Sequence, residues 1–95
     1  MAVLIIAHIP AGTAELDEEI QKNMSFAANP PAGFMARLAG PVEGGWRVIS
    51  VWESQEAFDT FRREQLEPAW RQAGRPMPQL QSSPLHSVRI NPQQR

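Results

Sequence analysis

The sequence predicts an α+β domain: one antiparallel sheet with two helices on a single face, in the order β-α-β-β-α-β. Three observations carry this. Gly44 to Phe61 reads without a linker as turn, strand, cap and helix. An almost unbroken apolar run, Ala2 to Ile9, opens the chain. Strand-like and helical segments follow one another within 95 residues, which make one domain.

The elements follow in order. Ala2 to Ile9 has the continuous apolar character of a strand buried on both faces, and Pro10-Ala11-Gly12 ends it. Thr13 suits a helix N-cap, and Glu15, Asp17, Glu18 and Glu19 fill the first turns, where the helix dipole favours acid. Leu16, Ile20, Met24 and Ala27 mark one helical face, and Asn29-Pro30-Pro31 stops the helix. Gly33 to Gly40 reads as a second strand, Pro41 to Gly45 as a hairpin connection, and Trp46 to Glu53 as a third strand rich in β-branched and aromatic residues. Ser54 caps a second helix from Gln55 to about Ala73, with Phe58, Phe61, Leu66, Ala69, Trp70 and Ala73 apolar. Pro68 predicts a kink, or a break in which it starts a second helical piece, because proline lacks the donor and crowds the preceding turn. Gly74 is a C-cap and Pro76 bars continuation. Met77 to Pro84 reads as a loop, Leu85 to Ile90 as a short last strand, and Asn91 to Arg95 as a polar tail that frays.

The first and third strands are apolar on both sides: Val3, Ile5, Ala7 and Ile9 oppose Leu4, Ile6 and His8, while Trp46, Val48 and Trp52 oppose Ile49 and Val51. Helices cover only one side of such a sheet, so the other needs a second layer. An identical subunit supplies it most simply. The expectation is a homodimer with sheets face to face, which also suits the modest core of so short a chain.

The order is that of the ferredoxin-like split β-α-β arrangement. Within it, Pro31-Ala32-Gly33-Phe34 opens the second strand, Gly45-Trp46-Arg47-Val48-Ile49 the third, and Trp52-Glu53-Ser54-Gln55-Glu56-Ala57-Phe58 leads into a helix carrying Phe61 and Pro68. In these residues, and over nearly its whole length, the chain resembles the dimeric α+β barrel superfamily, in particular the small domains similar to antibiotic biosynthesis monooxygenases. The resemblance implies a homodimeric barrel and, as activity, cofactor-independent oxygenation, polyketide cyclisation or isomerisation, or heme degradation; since the group also holds proteins of no known activity, a non-catalytic dimeric small-molecule-binding protein is the alternative. Such a fold hosts more than one function. Where the resembled proteins often carry a histidine after the Pro-Gly opening, this chain has Arg37. It also lacks a matching Asn, Trp and His set of the heme-degrading kind.

Composition narrows the field. The net charge is −1, with one lysine and eight scattered arginines, so no basic block suits nucleic acid. The absence of cysteine excludes disulfides, thiolate metal sites and cysteine nucleophiles. The first apolar run lacks a basic leader and is too short to span a bilayer, so a cytoplasmic chain away from membranes is expected. Gly44-Gly45 joins two strands without a Lys-Ser/Thr partner, so it is no phosphate loop. Two isolated histidines make a metal site improbable, and no cofactor is expected.

His8, His86 and Arg37 are the candidate catalytic residues. An imidazole suits general acid or base work, although the plain reading of each histidine is a hydrogen-bonded sheet residue. The forked donors of Arg37 suit a phenolate, carboxylate or enolate oxygen; an ion pair across the dimer, or with Glu43 or Glu53, is the alternative. Trp52 and Trp46 are candidate walls for a flat aromatic substrate, with core packing as their plain reading. Ser50 could contact a ligand or bond the backbone. Phe34, Met24, Met35, Phe58 and Phe61 are placed between sheet and helices. The expected partner is a small hydrophobic or aromatic molecule.

Overall fold

The computed structural model describes residues 1–91. Its elements are β1 (Val3–Pro10), α1 (Ala14–Met24), β2 (Phe34–Val42), β3 (Gly45–Trp52), α2 (Gln55–Phe61), a π-helical turn (Arg62–Leu66), α3 (Glu67–Gln72) and β4 (Gln79–Pro84). The strands form one antiparallel sheet in the order β2-β3-β1-β4. This is the ferredoxin-like α+β fold expected from the sequence.

Local chemistry sets the boundaries. Thr13 and Ser54 each accept a hydrogen bond from the backbone N–H three residues on, at 3.1 Å, so both predicted caps form. The hairpin is tighter than expected: Val42 pairs with Gly45, leaving only Glu43-Gly44 as the loop, with Gly44 at φ +82°. Pro41 and Val42 therefore belong to β2. Helix α1 ends at Met24, short of Ala27 and the Asn-Pro-Pro stop. Ser25 takes the left-handed conformation, and Phe26 turns back onto Phe34 and Phe61. Burying that ring outweighs another helical turn.

Pro68 disturbs the second helical segment, as expected, without ending it: it is the second residue of α3, and the residues around the junction keep helical backbone angles. The disturbance is absorbed by the π-turn, in which the Glu67 N–H donates to the Arg62 carbonyl five residues back. A proline that cannot donate to the carbonyl four residues before it favours such a widened turn.

The last strand is a correction. Residues Gln79–Pro84 pair with β1, whereas Leu85 to Ile90 contain no strand. The register explains it: Val3 faces Pro84, and the Leu85 N–H reaches the carbonyl of Ala2, where β1 runs out. Leu85 to Ile90 have no strand of their own sheet to extend along, and Ile90 is exposed. The sequence of β4 reads as a loop because only Leu80 packs inward from an otherwise polar edge strand. The expected fraying of the tail falls, beyond Asn91, outside the described residues.

The core lies between sheet and helices in two adjoining clusters. One holds Val3, Ile5, Trp52, Phe58 and Phe61; the other holds Ile9, Leu16, Ile20, Ala69 and Trp70.

Candidate functional site

A partly open cavity of about 70 Å³ lies between the inner face of the sheet and the helices. Strand alternation builds its floor: Ile5, Ala7 and Ile9 from β1, Val48, Ser50 and Trp52 from β3, and Arg37 from β2 all point inward. Helix α1 adds Asp17, Ile20, Gln21 and Met24. Phe58, Phe61, Leu66 and Trp70 close the remaining side.

The walls are mainly aromatic. Trp52, only 1% exposed, is the hub, with Phe34 and Phe58 each 5.5 Å away edge-on and Phe61 at 4.9 Å. Such edge and tilted pairs add to burial energy and hold the rings in defined orientations.

The polar groups converge from two directions. Arg37 and Ser50 are cross-strand partners on the inner face. Arg37 forms an ion pair with Asp17, the two side chains being 20% and 12% exposed. The sequence offered Glu43 or Glu53 for that role; the actual partner comes from α1. The Gln21 amide lies 3.4 Å from the other Asp17 oxygen. Ser50 accepts a hydrogen bond from Trp52 Nε1 at 2.9 Å, so it bonds a side chain rather than the backbone. Its own hydroxyl proton remains available to donate.

Of the sequence candidates, Arg37, Ser50, Trp52, Phe34, Met24, Phe58 and Phe61 line this cavity. His8, His86 and Trp46 do not. His8 sits between two inward-facing residues, so alternation turns it to the opposite face, beside Arg47 and Gln79. His86 is exposed in the segment beyond β4. Trp46 packs in the second core cluster, where its buried Nε1 has no hydrogen-bond partner among the described residues. Met35, at the bulge in β2, is 39% exposed instead of filling the interior.

Asp17, Gln21 and Phe26 line the cavity without having been singled out from sequence. Asp17 carried a readable signal: with Ile20 and Met24 it forms an i, i+3, i+7 stripe, so an acid stands on the inward side of the helix. Its place in an acidic first turn masked this.

Among the described residues, no group of three or more His, Cys, Asp or Glu side chains could hold a metal ion. No helix of the described residues is long and apolar enough to cross a membrane.

Neither a protein-family model nor a curated protein matches the chain. Solved structures do. A Chloroflexus aurantiacus protein provisionally described as an antibiotic biosynthesis monooxygenase is 15% identical, with a TM-score of 0.63, over 96% of this chain and 100% of that one. The chain has the fold of the antibiotic biosynthesis monooxygenase-like proteins. A variant of SnoaB, a cofactor-independent oxygenase from Streptomyces nogalater, is 16% identical with a TM-score of 0.58, covering 97% of each chain. MhuD from Mycobacterium tuberculosis, a heme-degrader with two hemes bound in its active site, is 23% identical with a TM-score of 0.53, over 96% of this chain and 100% of that one. These likenesses establish the fold and leave the activity to the site. Heme does not fit this site: its cavity is about 70 Å³, and no histidine of the described residues lines it.

Proposed function

We propose that this protein is a cofactor-independent monooxygenase, or a related small enzyme, acting on a small aromatic molecule bound between sheet and helices. The observation that carries this reading is the convergence of Arg37 and Ser50 on a cavity walled by Trp52, Phe34, Phe58 and Phe61. Fixed donors in a water-poor space stabilise an oxyanion more strongly than water does. Aromatic walls orient a flat ring and exclude solvent. In cofactor-independent oxygenation the protein holds an electron-rich anion of the substrate, which itself meets dioxygen. Cyclisation or isomerisation needs the same oxyanion contact and is the neighbouring assignment.

The cavity narrows the substrate. About 70 Å³ is well under the few hundred cubic ångströms of ordinary ligand pockets. A single-ring compound suits this space better than a fused polyketide. The histidines drop out as bases within this cavity, because neither lines it.

We also propose a homodimer. The outer face of the sheet presents Leu4, Ile6, Ala36, Leu38 and Ile49, and Leu38 is 60% exposed. No helix of the described residues packs on that face, and a second sheet would bury it.

One observation favours a second reading, a non-catalytic dimeric binding protein: phenylalanine, methionine and tryptophan fill much of the interior. Oxygen uptake with electron-rich single-ring phenols separates the two. Turnover by the native protein, with at least a tenfold loss in Arg37→Met, is expected for the enzyme. Saturable binding with no oxygen uptake and no rearranged product would leave only the binding protein.

A further inference from the structure

We propose that Asp17 is the proton acceptor of this cavity, and that its pairing with Arg37 selects a neutral, weakly acidic hydroxyl compound, a single-ring phenol or enol, over a preformed anion. The proposal rests on reading the cavity as a small-molecule site.

Asp17 is the one carboxylate and Arg37 the one cation among the described residues that line the cavity. Both are largely withdrawn from solvent, and they are in direct contact. The charged part of the wall therefore sums to zero. An entering carboxylate would lose its hydration and meet Asp17 as well as Arg37. A neutral hydroxyl brings no net charge and matches both groups.

The same positions handle the proton. The ligand O–H donates to an Asp17 oxygen, while the ligand oxygen accepts from the guanidinium of Arg37 and the hydroxyl of Ser50. Ser50 is oriented for this, because its oxygen already accepts from Trp52 Nε1. The Gln21 amide, at 3.4 Å, holds Asp17 only loosely and leaves it acceptor capacity. On transfer, the ligand O–H bond breaks, its electron pair stays on the ligand oxygen, and an O–H bond forms on Asp17. The negative charge moves from the carboxylate to the ligand oxygen without leaving the field of Arg37. The total charge of the three groups is unchanged, which limits the electrostatic cost of transfer in a low-dielectric space.

The test uses the intact chain and three probes of one ring: nitrobenzene, 4-nitrophenol and 4-nitrobenzoate. Quenching of tryptophan fluorescence reports binding, and the visible phenolate band reports proton transfer at a pH where free 4-nitrophenol stays neutral. Nitrobenzene and 4-nitrophenol are expected to bind, with the phenolate band appearing for the second. 4-Nitrobenzoate is expected to bind about tenfold or more weakly than 4-nitrophenol. Asp17→Asn should keep nitrobenzene binding and lose the band, and Asp17→Glu should restore part of it. If Asp17→Asn does not fold, Arg37→Met serves: nitrobenzene still binds and the band is lost. A band that persists in either folded variant, its absence from the native protein, or equal affinity for 4-nitrobenzoate overturns the proposal while nitrobenzene binding upholds the cavity. Failure of all three probes to bind overturns both.

Discussion

The two faces of the sheet are nearly equal in apolar character and opposite in fate. Inward, Val3, Ile5, Ile9 and Trp52 are buried beneath helices and organised around six aromatic contacts. Outward, Leu4, Ile6 and Ile49 remain half-buried, Val51 is buried and Leu38 is exposed. The inner face keeps the polar residues Arg37 and Ser50 on a floor of hydrophobic neighbours. The outer face gathers its polar groups, His8, Arg47, Gln79 and Gln81, toward one end and one edge. A buried polar group in an apolar wall is costly without a partner, so its presence points to bonding or chemistry. An apolar face with a polar margin points to association.

Substitutions separate these roles. The largest effect is expected at the hub of the inner face: Trp52→Ala should cost about 3–5 kcal/mol, read as a lower urea midpoint, because it empties the centre of the aromatic cluster. A loss under about 1 kcal/mol would mean that the neighbouring rings collapse into the space. Ser50→Ala is expected to cost about 1–3 kcal/mol in the same measurement, since it leaves Trp52 Nε1 buried without its acceptor. On the outer face, Leu38→Glu should cost the protomer less than about 0.5 kcal/mol. In sedimentation it should nevertheless shift the protein from dimer to monomer. An unchanged oligomer would remove the face-to-face arrangement.

How much of this was legible depended on what each signal reports. The inward and outward alternation of β1 and β3 was readable because period-two patterning is local. The cavity floor of Ser50, Trp52 and Arg37 followed from it once the strands were placed. The Arg37–Asp17 pair was not readable, because it joins elements twenty residues apart and depends on how α1 lies across the sheet. The last strand was misplaced because Leu85-His86-Ser87-Val88-Arg89-Ile90 has the better alternation, while Gln79–Pro84 has the partner. Pairing depends on where β1 ends, which propensity does not record.

The π-turn has a consequence for phase. In an unbroken α-helix, the inward position one turn after Phe61 belongs to Gln65. The turn lets in one extra residue, so Leu66 takes that position, and Ala69, Trp70 and Ala73 follow it inward. On one regular helix the apolar residues of this segment would spread over about half the circumference; the extra residue gathers them onto a narrower face. The proline that interrupts the hydrogen bonding thus also sets the clock by which the second half of the segment meets the core. Removing one residue between Phe61 and Leu66 would restore regular geometry only if Pro68 were replaced as well.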